Sequence, residues 1–145
     1  MKQYIIAIAF IATTLFAAAK DTKGTEKNIP QTVTTAFAST FTHAENVKWE
    51  QDENFLIATF TMDEKNYSAY YYADGTLAVT ARSISWKQLP RGLKENLEVK
   101  AVSGHVLAIY KMESDEGIRY YCEMQTAAGK EILQAFGSQW RVVNK

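Results

Sequence analysis

The side chains that most often carry metal chemistry are few and scattered in this sequence. It contains two histidines, His43 and His105, and a single cysteine, Cys122. Neither histidine belongs to a cluster of aspartate, glutamate or cysteine at the spacing of zinc ligands. The sequence therefore predicts no metal site.

Carboxylates are more numerous, and they concentrate in three short segments, residues 52–53, 63–64 and 113–116. None follows the alternating oxygen ligands and central glycine of a calcium loop. Solvated turns are the simpler interpretation, and weak surface calcium is the alternative. Paired carboxylates act as acid and base only inside a pocket, and the spacing does not place these segments in one.

Covalent and phosphate chemistry also lack their usual patterns. Ser103 lies near His105 but without a nucleophile elbow or a third triad member. Lys130 follows Gly129 without the preceding glycine-rich loop of a phosphate site.

Cys122 has no partner within the chain and lies in an apolar segment. This favours a small buried hydrophobic side chain over a reactive thiol or an intermolecular disulfide. We expect no enzymatic activity and no cofactor.

The N-terminus predicts export. Lys2 precedes an apolar run over residues 4–16, and three alanines at 17–19 offer a cleavage site. The run is shorter than the roughly 20 residues of a membrane span. Residues 1–19 are thus predicted to be a signal peptide, leaving no membrane span after cleavage and a periplasmic or secreted protein. Residues 20–29 are polar and predict a flexible leader.

Charge argues against one further class of partner. The chain has 16 basic and 16 acidic residues among 145. A nucleic-acid-binding protein usually carries a clustered basic surface, so no nucleic acid is expected.

The elements after residue 29 predict an α+β fold. Pro30 opens an amphipathic helix over residues 30–40, with Val33 and Phe37 at helical spacing. Strand patterns follow over residues 47–51 and 55–62. The segment 67–80 then places Asp74-Gly75 between two apolar runs, which is a strong hairpin signal. Short turns between these strands predict antiparallel pairing.

The same order then recurs. Leu89-Pro90 opens a second helix, the segment 105–112 resembles 55–62, and Gly129 provides a second glycine turn. We predict one domain over residues 30–145 made of two tandem repeats, 30–85 and 86–145. Each repeat is a helix plus an antiparallel meander, and the two share one sheet with the helices on one face. Residues 138–145 would close the sheet as an edge strand.

The three tryptophans, Trp49, Trp86 and Trp140, lie near the edges of these repeats. Packing between helix and sheet is their simpler role, and stacking on a ligand is the alternative.

Specific residues in this pattern resemble a known family. They are Ile29-Pro30, Val33 and Phe37, then Val47-Lys48-Trp49-Glu50, residues 58–60, and residues 67–75, YSAYYYADG. They resemble the exported bacterial PepSY-like proteins, a group also described as β-lactamase-inhibitor-like. The resemblance extends over nearly the whole chain after the leader, although the second copy lacks the Val-Lys-Trp-Glu strand. It implies a tandem helix-plus-sheet fold with no catalytic residues. The inhibitor relatives bind a hydrolase on a concave sheet face.

Side-chain alternation predicts which face is free. With Leu56, Ala58, Phe60 and Met62 towards the helices, the inward set also includes Tyr67, Ala69, Tyr71, Leu77, Val79, Ala81, Val106, Ala108, Tyr110 and Met112. The outer face then collects apolar and aromatic residues, namely Phe55, Ile57, Tyr70, Tyr72, Leu107, Ile109 and Tyr121. A register error of one residue would exchange the two faces.

We interpret this outer set as a surface that binds another envelope or secreted protein, because tyrosine is enriched at interfaces. Ordinary strand propensity with scattered aromatics and a homodimer contact are the alternatives for the face. For the function, the alternative is a periplasmic small-ligand-binding or sensing module, which would need a cavity between helices and sheet.

Overall fold

The computed structural model describes residues 28–143. The predicted signal peptide, residues 1–19, and most of the predicted leader lie outside this range. Within the described range, no helix is long and apolar enough to cross a membrane.

Two helices and eight strands make up the fold of residues 28–143. The first half contains α1 (Gln31–Thr40), β1 (Glu45–Gln51), β2 (Leu56–Met62), β3 (Lys65–Tyr71) and β4 (Leu77–Ser83). A 3₁₀ turn (Trp86–Gln88) leads into α2 (Arg91–Ala101), which is followed by β5 (Gly104–Ser114), β6 (Gly117–Thr126), β7 (Gly129–Phe136) and β8 (Gln139–Val142). The strands form one antiparallel sheet in sequence order from β1 to β8. The predicted α+β class is confirmed.

Each helix buries one apolar stripe against the same face of the sheet. Val33 and Phe37 of α1 pack on Leu56, Ala58, Phe60, Ala69 and Tyr71, and we call this cluster the α1 core. Leu93 and Leu97 of α2 pack in the α2 core with Ile84, Ile109, Cys122, Met124, Leu133 and Trp140. Cross-strand pairing connects the two cores along one face, since Ala69 pairs with Thr80 and Thr80 with Glu113.

The predicted Asp-Gly hairpin is present between β3 and β4. The Asp74 carboxylate accepts a hydrogen bond from the Thr76 amide at 2.8 Å, and this bond lowers the pKa of Asp74. Gly75 has a φ of +91°, and a Cβ there would lie 3.0 Å from the Thr32 carbonyl oxygen. The turn thus needs glycine both for its backbone conformation and for its contact with α1.

A bulge in β4 reverses part of the predicted alternation. Tyr70 pairs with Val79 and Tyr71 with Leu77, so Ala78 is an extra residue in the ladder. Beyond this bulge every side chain of β4 points to the opposite face from the one predicted. The assignment of Val79 and Ala81 to the helix side was therefore wrong, and Thr80 and Arg82 take their place there.

The reversal passes to β5 through strand pairing. Ala81 pairs with Met112 and Ser83 with Tyr110, which puts Tyr110 and Met112 on the face away from the helices. Ile109 lies on the helix side, in the α2 core. The predicted faces of these three residues were therefore wrong.

Ala108 was also assigned to the wrong face, because a second register shift lies at Leu107. Ala108 pairs with Glu123, which shares its face with Tyr121 and so lies away from the helices. Val106, before the shift, packs against the α2 core as predicted.

Each helix is followed by four strands, but the tandem repeat stays a prediction. In element order, residues 105–112 belong to the first strand after α2, whereas residues 55–62 belong to the second strand after α1. The sequence match between these segments is therefore offset by one strand from the order of the elements. The predicted edge strand near the C-terminus is present as β8.

Candidate binding face

The face of the sheet away from α1 and α2, here called the helix-free face, carries its own apolar cluster. Its buried members are Val79, Met112, Tyr121 and Ile132, with Tyr70, Ala78, Ala81 and Tyr110 packed against them. Ile57, opposite Tyr70 in the ladder, is only 5% exposed. No helix within residues 28–143 packs on this cluster. The side chains therefore shield one another across neighbouring strands.

The seven residues predicted for this face separate into three groups. Ile57, Tyr70 and Tyr121 lie on the helix-free face, and Phe55 and Tyr72 flank it at the turns that end β1 and β3. Leu107 lies at the β5 bulge and is half exposed. Ile109 is buried in the α2 core and does not belong to the face.

Other members of the face were not predicted. They are Val79, Tyr110, Met112 and Ile132. Alternation along β7, continued from Leu133 in the core, is a sequence signal for Ile132. The remaining three depend on the β4 bulge, for which the sequence has no clear signal.

An aromatic group forms one end of the face. The Phe55 ring lies 5.9 Å from the Tyr70 ring in an edge-to-face arrangement and 5.2 Å from the Tyr72 ring. Asp52 fixes the turn that presents Phe55, because its Oδ1 accepts hydrogen bonds from the amides of Asn54 at 2.8 Å and Phe55 at 2.6 Å. Tyr72 is 42% exposed, so this group offers aromatic surface to solvent.

Acidic side chains surround the aromatic group. Burial raises the pKa of Tyr70 to about 12, and the charges of Asp52 and Glu50 add to the effect. The Tyr70 hydroxyl is therefore neutral at physiological pH and retains its proton for donation. Glu50, Asp52 and Glu53 form no ion pair within the described residues, which leaves this end of the face negatively charged.

The opposite side of the face contains compensated charges. Glu123, the buried charged residue of the face, forms an ion pair with Lys130, whose side chain is about half exposed. The Arg141 guanidinium lies 5.2 Å from the Phe136 ring centroid. Burial raises the pKa of Tyr121, and nearby Arg119 opposes the shift. The face thus combines an apolar centre, an acidic aromatic end and a polar margin.

The residues considered for chemistry are separated in the fold. Among residues 28–143 no three histidine, cysteine, aspartate or glutamate side chains come together as metal ligands. The Ser103 hydroxyl donates to the Lys100 carbonyl at the end of α2. Cys122 is fully buried, and burial raises the pKa of its thiol to about 12. A thiol with this pKa is protonated at neutral pH and is a poor nucleophile.

All three tryptophans pack in the cores, as their simpler interpretation predicts. Trp140 is buried, and its Nε1 donates to the Leu93 carbonyl at 2.9 Å. Trp49 packs on the α1 core and Trp86 on the α2 core.

An open groove lies on the helix side, beside the start of α2. Its volume is about 430 Å³. It is lined by Pro90, Gly92, Leu93, Ile118, Arg119, Tyr120, Ala135, Gly137 and Ser138. The small-ligand alternative predicts a cavity between the helices and the sheet, whereas this groove is lined by α2 without α1 and is open to solvent.

Comparison with known proteins shows the fold. No family model and no curated protein matches this sequence. Among solved structures, a protein from Bacteroides eggerthii described as periplasmic superposes with a TM-score of 0.72 at 15% identity, over 81% of this chain and 88% of that chain. A DUF2874 family protein from Bacteroides uniformis gives 0.69 at 14% identity, over 79% and 86%. A BLIP-like protein from Bacteroides fragilis gives 0.63 at 17% identity, over 79% and 83%.

At these identities the similarity shows the fold alone. The β-lactamase-inhibitor-like architecture is confirmed, and membership of the PepSY-like family stays a prediction.

Proposed function

We propose that this protein is an exported, non-catalytic binding protein that engages another envelope or secreted protein through the helix-free face. The proposal is supported chiefly by the apolar cluster on that face, which has tyrosines at its centre and no covering helix among the described elements. A sheet with helices on one side usually presents polar side chains to water on the other. Here the half-buried residues around the buried centre, namely Tyr70, Ala78, Ala81 and Tyr110, form an apolar, tyrosine-containing surface with the composition of a protein interface.

The arrangement of the face also suits protein binding. Tyr70 is half-buried next to apolar neighbours, and Phe55 and Tyr72 extend the surface at one end. Side chains that combine a rigid ring with a polar group are frequent among binding hot spots. The similarity to a protein described as periplasmic and to a BLIP-like protein agrees with an exported binding role.

Site-specific photo-crosslinking in the producing cells tests the proposal. A benzophenone amino acid replaces Ser68 or Tyr72, which lie on or beside the helix-free face, and in the control it replaces Val99, an exposed residue of α2. We expect the two face positions to trap one and the same protein, identified by mass spectrometry, and the Val99 position not to trap it.

Two results would count against this function. One is the same set of crosslinked proteins from all three positions, which would indicate unspecific contact. The other is a crosslink between two copies of the chain from the face positions, which would assign the face to a homodimer. Sedimentation velocity of the purified protein would check the second result.

The groove beside α2 supports a second candidate, a small-ligand-binding or sensing function. Its volume of about 430 Å³ lies within the range of about 300–1,000 Å³ that is typical of ligand sites. Ala135→Leu would add side-chain volume to its lining. A compound that raises the melting temperature of the wild type and loses its effect in Ala135→Leu would support this function over protein binding.

A further inference from the structure

A row of side chains on the helix side, between the two cores, has no role in the binding proposed above. Cross-strand pairing aligns Phe60 of β2 with Tyr67 of β3, Arg82 of β4, Lys111 of β5 and Tyr120 of β6. Phe60 and Tyr67 belong to or pack against the α1 core, and Tyr120 packs against the α2 core. The cations Arg82 and Lys111 thus lie between two tyrosines where the cores meet.

Direct pairing of two cations is unfavourable by itself. The Ile84 amide donates to the Ile109 carbonyl at 2.9 Å. Arg82 lies two residues before Ile84 and Lys111 two residues after Ile109, so these two residues also form a hydrogen-bonded pair of the ladder. Side chains in such a pair are neighbours on one face, and like charges in this position repel. Removing the charge of Arg82 would relieve this repulsion.

The neighbouring acids compensate this charge only in part. Lys111 Nζ donates to Glu113 Oε1 at 2.5 Å, and the Lys111 side chain is only 18% exposed. Arg82 forms no ion pair within residues 28–143. Lys65 lies on the same face, two residues before Tyr67. Near the row, the helix side of β3 to β5 therefore carries three cations and one carboxylate.

We infer that Arg82 and Lys111 form a binding site for an oxyanion, a carboxylate or a phosphate group, on the helix side of the sheet. The planar guanidinium of Arg82 suits bidentate contact with two oxygens, and the Lys111 ammonium adds a partly desolvated charge. Tyr67 and Tyr120 flank the cations in the ladder and offer ring surface to the remainder of a ligand.

The test is a thermal unfolding titration of the purified protein. Sodium acetate, benzoate, phosphate and sulfate are added separately, with sodium chloride adjusted to keep ionic strength constant. We expect at least one oxyanion to raise the melting temperature in a saturable way, since a ligand that binds only the folded state stabilises it. The carboxylate and phosphate arms identify the group that the site prefers.

Variants locate the effect. Arg82→Gln and Lys111→Gln should weaken the apparent affinity for the anion at least about tenfold, as expected for the loss of a charge-assisted contact. Lys48→Gln, at an exposed residue of the edge strand β1 that forms no ion pair among the described residues, is the matched control and should leave it unchanged. Without anion, Arg82→Gln should melt no lower than the wild type, because it removes the repulsion.

Chemical protection provides a second measurement on the wild type, independent of how the variants fold. Phenylglyoxal modification of Arg82 should slow in the presence of the oxyanion, whereas that of Arg91, whose side chain is 92% exposed, should not. The inference is overturned if no oxyanion raises the melting temperature more than chloride does, or if Arg82→Gln keeps the full rise in melting temperature. It is also overturned if the oxyanion does not slow the modification of Arg82 relative to that of Arg91.

Discussion

The buried hydroxyl of Tyr71 gives the sharpest stability prediction. Tyr71 is fully buried in the α1 core, and its hydroxyl has no hydrogen-bond partner among the described residues. Burial raises the pKa of this hydroxyl, while the nearby Thr40 hydroxyl opposes the shift. A buried polar group without a partner costs about 1–3 kcal/mol. Tyr71→Phe removes this cost and leaves the ring contacts in place.

We expect Tyr71→Phe to raise the free energy of unfolding by about 1 kcal/mol, the low end of that range, because Thr40 partly compensates the hydroxyl. The melting temperature should rise by about 4 °C for a domain of this size. Urea denaturation followed by tryptophan fluorescence measures the change, since the Trp49 ring lies 6.2 Å from the Tyr71 ring.

Tyr70→Phe is the matched control. It makes the same chemical change one residue away, on the opposite face of β3, and should bring no gain in stability. A loss of 1 kcal/mol or more in Tyr71→Phe would refute the reasoning, because the hydroxyl would then be hydrogen-bonded. A double-mutant cycle with Thr40→Val would identify Thr40 as the partner in that case.

Three further predictions concern the turn and the cores. Gly75→Ala should destabilise the fold more than Gly129→Ala in thermal unfolding: both glycines have positive φ, but only a Cβ at position 75 meets another atom within 4 Å. If the two variants melt alike, the contact with α1 is unimportant. Leu97→Ala, fully buried in the α2 core, should lose about 2–5 kcal/mol in urea denaturation, and a loss below 1 kcal/mol would contradict the packing described.

The third prediction is a pH dependence caused by Cys122. Because its pKa rises from 9.0 to about 12 on folding, its contribution to stability is complete below pH 9 and is lost as pH rises towards 12. Cys122→Ala should therefore show a shallower loss of stability over that interval. In the native wild type, Ellman's reagent should label the thiol only after unfolding, and rapid native labelling would contradict its burial.

The sequence carried enough information to predict the first half of the fold. Val33 and Phe37 repeat at helical spacing, and the strict alternation of residues 56–62 and 67–71 placed their side chains on the correct faces. The Asp74-Gly75 turn was predictable because its backbone conformation requires glycine. In these segments local propensity, periodicity and turn chemistry all favour the same structure.

The faces of β4 and part of β5 could not be predicted, for a physical reason. The bulge leaves Ala78 unpaired in β4, and no residue type in the segment marks it. A shift of one residue then moves every following side chain of the strand to the opposite face of the sheet. Hydrophobicity favoured the wrong face, because Val79 and Ala81 are more apolar than Thr80 and Arg82, which lie on the helix side. Ile109 was placed on the wrong face for this reason, and Tyr110 and Met112 were missed.

The most direct test of the central claim is the dissociation constant of the partner trapped at Ser68 and Tyr72, measured by isothermal titration calorimetry. We predict that Tyr72→Ala, and Tyr70→Ala combined with Tyr72→Ala, weaken binding at least about tenfold, as for interface hot spots. The control Val99→Ala on α2 should leave the constant unchanged. Equal affinity of all these variants would show that the helix-free face is not where the partner binds.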